Sequence, residues 1–259
     1  MRLTTIVLCA MQLLLIAPVH AGNLSAQDIA RNYFNHHRGW GKLSAHLHME
    51  LTQGSASATR DLDVRMLEAE SSGERDLVRV LKPADLKGTA VLTYTHDSAA
   101  DEQWVYLPAI RRVKRLTLES KGGAFLSSQF AFEDLLPFQL QKYTYRRLPD
   151  DTYQGEPCYV MESVPVAGSS VYGRLVHWIA KSDYRLLKTR FFDKDNYLQK
   201  TLYIEKHQLY RDKYLRPVRL KMVDESSGDT TVSIWSDLVY DRQLDEREFD
   251  VTSLKRIGF

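Results

Sequence analysis

From residue 47 to residue 238 the chain alternates apolar and polar side chains in a series of short runs. Leu47, Met49 and Leu51 alternate with His46, His48 and Glu50, and Leu62, Val64 and Met66 alternate with Asp61, Asp63 and Arg65. A period of two sends successive side chains to opposite faces of an extended backbone, so these segments are half-buried strands. The pattern recurs through Leu77–Leu81, Thr89–Thr95, Trp104–Leu107, Val113–Leu118, Tyr143–Leu148, Cys158–Val164, Arg174–Ala180, Leu186–Phe192, Leu198–His207, Val218–Val223 and Thr230–Leu238. Turn-forming stretches separate the runs, among them Lys87-Gly88, Pro149-Asp150-Asp151, Asp193-Lys194-Asp195-Asn196 and Ser227-Gly228-Asp229. Such spacing predicts a mainly β chain, an antiparallel meander of about 11–12 strands.

Helical spacing is confined to three places. Ser25 to His37 has Ser25 as a cap, Asp28 three residues on, Ile29 and Tyr33 one turn apart, and Gly39 beyond its end. Phe130 to Leu140 and Asp245 to Leu254 are the other candidates. Each strand of a sheet is rotated against its neighbour, so a sheet this wide must curl, split or close. The expected architecture is an incomplete antiparallel β-barrel, a strongly curved sheet whose concave face the helices plug. Period two defines two faces but does not say which one is concave.

The first residues change the picture. Arg2 is a short positive region, Ile6 to Ile16 an apolar run, and Val19-His20-Ala21 a small-residue cleavage signature. The run is shorter than the roughly 20 residues that span a bilayer, so residues 1–21 are expected to be a signal peptide cleaved after Ala21. Export to the periplasm follows. Residues 22–259 then form one domain, with no linker or repeat to divide them. Removing 21 of 259 residues leaves 238, deletes Cys9 and lowers the formal net charge from +2 to +1. A charge near zero gives no sign of nucleic acid, which is not expected as a partner, and no intramolecular disulfide can form because Cys158 stands alone. With 44% apolar residues the chain can bury a core of ample size.

Candidate chemistry is sparse. His46 and His48 share a strand face and follow His36-His37, but no HExxH, Cys pair or spaced acidic cluster completes a metal set. The chain has no GxSxG, and Ser127-Ser128 has no base nearby in sequence. Cys158 opens an apolar strand behind Glu156-Pro157 and reads as a small buried residue. Glu133-Asp134 and Asp150-Asp151 are adjacent carboxylates, which on a helix do not face each other. A lipid hydrolase would need a nucleophile and base that the sequence does not offer, so no enzyme, metal or cofactor is expected.

The informative stretch is Trp104 to Leu136. It joins an aromatic strand with Trp104 and Tyr106, the cations Arg111, Arg112, Lys114 and Arg115, a Gly122-Gly123 loop, and the segment holding Phe125, Phe130, Phe132, Leu135 and Leu136, followed by Phe138. Rings suit an apolar ligand, and cations suit an anionic head group or an acidic partner. On a strand Arg112 and Lys114 share one face while Arg111, Val113 and Arg115 share the other, so a partner would recruit only one set. A lid near Gly122-Gly123 over an apolar cavity would use this arrangement.

The motifs WxYLPxxRRVKR and FxxSQFxFEDLL resemble those of the LolA-like outer-membrane lipoprotein-sorting proteins, in particular the larger periplasmic members associated with RND/MMPL-type exporters. The match spans about 33 residues, with strand pattern and length compatible elsewhere. The resemblance implies a helix-plugged half-barrel whose cavity holds acyl chains of a lipoprotein or another lipid, in a carrier and not an enzyme. It implies as partners an inner-membrane RND/MMPL-type exporter and an outer-membrane acceptor, with the protein acting as a monomer. The rings named above would line the cavity, and the four cations would meet a head group or the exporter. The chain is longer than the dedicated lipoprotein chaperone of that family. Its alternative role is an accessory subunit that docks on the exporter through Arg111 to Arg115 and carries nothing.

Overall fold

The computed structural model describes residues 24–257, apart from residues 37, 70–72, 98, 167, 169, 241 and 242. The expected signal peptide lies outside the described residues.

Helix α1 (Ala26–His36) starts as the sequence predicts. The Ser25 hydroxyl accepts from the Asp28 backbone N–H at 3.1 Å, and the Asp28 carboxylate accepts from the Ser25 N–H at 3.3 Å, a reciprocal cap. Six strands follow: β1 (Lys42–Gln53), β2 (Ala56–Ala69), β3 (Gly73–Lys82), β4 (Ala90–Tyr94), β5 (Glu102–Leu107) and β6 (Arg112–Arg115). After a connection holding the one-turn helix α2 (Leu118–Lys121) come β7 (Tyr143–Tyr153), β8 (Glu156–Pro165), β9 (Arg174–Ala180), β10 (Leu186–Phe192), β11 (Leu198–Tyr210), β12 (Tyr214–Asp224) and β13 (Thr230–Tyr240). The chain ends in tight turns and α3 (Leu254–Ile257).

All 13 strands belong to one antiparallel sheet in the order β6-β5-β4-β3-β2-β1-β13-β12-β11-β10-β9-β8-β7. The two edges, β6 and β7, do not pair with each other, so the barrel is incomplete. Its curl follows from who meets whom. Glu74 on β3 and His177 on β9 line the same cavity although seven strand steps separate them. In a flat sheet they would stand more than about 30 Å apart, at roughly 4.8 Å per strand.

Period two sorts the side chains as expected. Val64, Val78, Val91 and Val105 are neighbours across β2 to β5 on the concave face, in the core cluster that includes Phe125 and Phe130. Leu77, Leu92 and Tyr106 point the other way.

Three sequence expectations are corrected. Phe130 to Leu140 is not a helix but two short 3-10 turns, Phe132–Leu135 and Leu140–Lys142, because Pro137 lacks the N–H a continuous helix needs. The tail does not plug the concave face. Leu244, Phe249 and Leu254 pack with Leu77, Leu92 and Tyr106 on the convex side, where the Tyr94 hydroxyl donates to the Phe249 carbonyl. Pro149-Asp150-Asp151 is not a turn: it sits inside β7 as an irregularity between Leu148 and Asp151, and the chain reverses at Gln154-Gly155. An edge strand tolerates that proline, since its outer side has no ladder partner.

Candidate functional site

Strands β6 and β7 are consecutive in the chain yet form opposite edges of the sheet, so residues 116–142 must cross from one edge to the other. This strap closes the open side of the half-barrel and carries the second sequence motif. Its own fold is a small hairpin, in which Phe125 donates its backbone N–H to the Phe130 carbonyl at 2.7 Å and Phe132 donates to the Gly123 carbonyl at 3.1 Å. Gly122 and Gly123 do not take left-handed backbone; Gly122 allows a close approach, since a Cβ there would lie 3.3 Å from a Val171 methyl, a tight contact. The left-handed residues are Leu126 and Ser127, with φ of 52° and 62°. Their carbonyls are held by Arg60 Nε at 3.3 Å and Gln53 Nε2 at 2.9 Å, which fix a conformation that non-glycine residues seldom adopt.

Polar anchors fasten the strap to the sheet. Lys200 on β11 forms an almost fully buried ion pair with Asp134 and donates to the Gln129 carbonyl at 3.2 Å. The Tyr172 hydroxyl donates to the other Asp134 oxygen at 2.8 Å. Glu133 accepts from the Ser170 hydroxyl and from the Val171 N–H at 2.8 Å; burial and then the Asp134 charge push its carboxyl up, against those two bonds. Gln103 on β5 donates to the Phe132 carbonyl at 2.9 Å, and buried Lys121 donates to the Asp101 carbonyl at 2.9 Å.

Between strap and sheet lies a cavity in two adjoining parts of about 340 Å³ and about 200 Å³, which share Met66, Phe130, Asp134, Leu136, Pro137 and Leu220. The larger part runs under α1 past Tyr33, Phe138, Leu175, Phe191 and Ile204. The smaller runs between Phe125, Leu135 and the β1–β3 face at Leu47, Met49 and Val78. For scale, an apolar void of about 150 Å³ accepts one benzene ring, and small-molecule sites begin near about 300 Å³.

Of the rings and apolar residues singled out in the sequence, Phe125, Phe130, Leu135, Leu136 and Phe138 line this cavity. Phe132 stands just behind it, edge-on to Phe125 with centroids 5.6 Å apart. Phe138 also joins α1, meeting Tyr33 edge-on at 5.1 Å and stacking on Tyr143 at 5.8 Å. Trp104 and Tyr106 are not brought to the cavity. They occupy the convex face with Phe249 and Leu254, because Gln103 and Val105 take the concave positions of β5.

The three cations on β6 divide as their spacing predicts, whereas Arg111 falls outside the strand and does not share the face of Arg115. Arg115 turns to the convex side, pairs with Glu102 at 2.6 Å and lies 5.9 Å from the Trp104 ring. Arg112 and Lys114 share the other face of this edge strand and are exposed. Arg111 is exposed in left-handed backbone, φ 50°, at the end of the turn Pro108–Ile110. Among the described residues Arg111, Arg112 and Lys114 form no ion pair.

The polar groups of the cavity are not among the residues that the sequence motifs single out. Glu74 and Asp76 on β3 stand on the same face as Val78 and Val80, and His177 on β9 shares its face with Leu175 and Ile179. Their signal was present as polar residues at concave positions of the period-two pattern. Burial pushes the Glu74 carboxyl up to about 7 and that of Asp76 well above its usual range, each raised further by a neighbouring carboxylate and opposed by Arg216. Burial lowers the His177 imidazole to about 4, so it is neutral; its Nδ1 meets the Thr189 hydroxyl at 3.0 Å. His46 and His48 both approach Asp61, at 3.6 and 2.7 Å, which accounts for that pair without a metal. Among the described residues no group of three or more His, Cys, Asp or Glu is placed to hold a metal ion.

An open antiparallel sheet curled round an apolar cavity and strapped from edge to edge is a LolA-like architecture. A family profile described only as that of an uncharacterized protein matches residues 72–256. An outer membrane lipoprotein-sorting protein domain from Vibrio parahaemolyticus is 37% identical over 89% of this chain and 98% of its own, with a TM-score of 0.86. A DUF1329 family protein from Desulfovibrio piger is 26% identical over 88% of this chain and 97% of its own, with a TM-score of 0.84. A LolA superfamily protein from Nitrosomonas europaea, at 22% identity over 89% and 99% and a TM-score of 0.71, shares the fold. No curated protein matches the sequence. The chain belongs to the outer membrane lipoprotein-sorting protein family, and its fold is LolA-like.

Proposed function

We propose that this protein is a periplasmic carrier that takes acyl chains of a lipoprotein or another lipid from an inner-membrane RND/MMPL-type exporter toward an outer-membrane acceptor, without catalysis or a cofactor. The observation that carries this reading is the apolar cavity under the strap, about 340 Å³ in its larger part and lined by Phe130, Phe138, Leu175 and Phe191. Each methylene moved from water into such a space contributes about 0.8 kcal/mol, so affinity grows with the length of chain buried and one short chain is held reversibly. Cargo enters and leaves when the strap lifts. Phe125, Phe130, Phe132, Leu135, Leu136 and Phe138 are its contacts or their immediate support.

Native mass spectrometry of protein purified without denaturation, with extraction and identification of bound lipid, tests the carrier role. Co-purifying lipid that disappears in Phe130→Asp, with the fold intact by circular dichroism, is the expected outcome. A cavity empty under all conditions and closed to added acyl chains would sink it.

Exposed Arg111, Arg112 and Lys114, unpaired among the described residues at an open sheet edge, support a second reading in which the chain docks on an exporter and carries nothing. Charge reversal at Arg112 and Lys114 decides between them. If it abolishes exporter pull-down while Phe125→Asp and Phe132→Asp variants keep full function, the docking role stands alone.

A further inference from the structure

One end of the cavity is built differently from the rest. Asp76 is 6% exposed and its Oδ1 has no hydrogen-bond partner. Arg216 on β12 donates from Nε to the Tyr240 hydroxyl at 3.1 Å and lies 5.2 Å from the buried Trp40 ring, yet its buried Nη2 also lacks a partner. Both residues line the cavity, Arg216 beside Glu74 in the larger part and Asp76 in the smaller. A buried acceptor and a buried donor left open in one cavity are costly unless something completes them.

The neighbouring charges are already committed. Arg38 donates to Glu68 at 3.0 Å, and Glu68 also accepts from the backbone N–H groups of Gly39, Trp40 and Gly41 at 2.8 to 3.1 Å. That leaves two carboxyl groups, Glu74 and Asp76, facing one guanidinium. Two further features hold this end in place. Gly73 lets β3 begin close against the Thr95 carbonyl, where any Cβ would lie 2.1 Å from the oxygen, and the Glu74 N–H donates to the Thr95 hydroxyl at 2.7 Å.

We propose that Asp76, Glu74 and Arg216 form a head-group subsite that selects an amphiphile whose head carries a cationic nitrogen next to a phosphate. The ammonium donates to the carboxyl oxygens, Asp76 Oδ1 first, and a phosphate oxygen accepts from Arg216 Nη2. The alkyl chains then lie along Phe130, Leu136 and Phe138. An anionic head without an amine gains the guanidinium alone and leaves Asp76 Oδ1 without a donor, so it is disfavoured. The inference rests on the carrier reading and narrows its cargo.

Delipidated mature protein is titrated with phosphatidylethanolamine and with phosphatidylglycerol of identical acyl chains in mixed micelles, with free phosphoethanolamine and with a fluorescent fatty acid. The expected result is roughly tenfold tighter binding of the ethanolamine lipid, about 1.4 kcal/mol. Free phosphoethanolamine should bind far more weakly than the lipid. Asp76→Asn with Glu74→Gln should bring the two lipids to parity while fatty-acid binding is unchanged, and Arg216→Lys, which keeps charge but loses the fork, should weaken both phospholipids. Equal affinity for the two lipids in the parent protein, or a preference that survives the double substitution, overturns the subsite and leaves the carrier standing. Phosphoethanolamine binding as tightly as the lipid overturns the coupling of head to acyl cavity. Failure of every amphiphile, the fatty acid included, overturns both readings.

Discussion

Strand β5 has a cover on each face, and the two covers are made of different materials. On the convex side the tail seals Trp104, Tyr106 and Leu92 with Leu244, Phe249 and Leu254; Phe249 and Leu254 are fully buried. On the concave side the strap buries Phe125 and Phe130 in the core of the sheet but is also fastened at buried polar points, Asp134 to Lys200 and Tyr172, Glu133 to Ser170, and Phe132 to Gln103, with the cavity beneath. Apolar burial is lost in full when a cover lifts, about 25 cal/mol per Å² exposed. A hydrogen bond that opens is largely replaced by water, at a net cost of about 0.5–1.5 kcal/mol. The tail therefore behaves as part of the core, while the strap adds to its buried rings a set of polar fastenings that fix its register over the cavity.

Phe249→Ala should produce the largest loss. The ring is fully buried, so truncation removes its transfer energy and leaves a cavity, together about 4–5 kcal/mol. Denaturant unfolding should show that loss while lipid retention per folded molecule is unchanged; a variant that folds normally but drops its lipid would erase the distinction between the covers. Lys200→Met comes next. It strands the Asp134 carboxylate in a buried place for about 4 kcal/mol, and hydrogen exchange should rise across residues 125–136 before the sheet opens. Uniform exchange through strap and sheet would show that the strap does not open separately.

How much of this contrast could be read in the chain depends on which interaction made each part. Period two marked all the strands, because half-buried strands must alternate, and Ser25 with Asp28 marked α1. The motif from Phe125 to Leu136 was legible as an aromatic segment, but not as a strap, since that follows from β6 and β7 standing at opposite edges of the sheet. Trp104 and Tyr106 look like those rings in sequence because alternation labels two faces without saying which is concave; Phe249 and Leu254, more than 140 residues away, settle their side. Glu74 and Asp76 were visible as acidic residues in phase with Val78 and Val80. Their partner Arg216 is equally distant in sequence, so the cavity's polar end was not.

That polar end gives the third difference, one of pH. Glu74 sits at about 7 against an ordinary 4.5, raised by burial and by Glu68 and eased by Arg38 and Arg216, with Asp76 beside it. A carboxyl whose folded pKa is raised holds its proton more tightly in the folded state. The unfolded chain releases it first as pH climbs, so stability falls between about pH 4.5 and 7 and stays lower above. At about 1.4 kcal/mol per pH unit the loss is roughly 3 kcal/mol. Glu74→Gln should flatten this part of the stability profile and be the more stable protein at pH 8. An unchanged slope would mean the carboxyl is solvated.

The smallest effect belongs to the cations at the edge where the strap begins. Arg112 and Lys114 are exposed, pair with no acid among the described residues, and pack under neither cover. Reversing both charges should shift stability by less than about 0.5 kcal/mol and leave strap exchange as it was. Arg115→Glu is the control on the same strand: its Glu102 partner at 2.6 Å and the Trp104 ring tie it to the convex side, so a like-charge contact replaces an attraction there. A measurable loss for Arg115→Glu beside none for the double reversal would leave Arg112 and Lys114 free for a partner. Equal losses would make β6 an ordinary structural edge, whose charges serve only to keep other strands away.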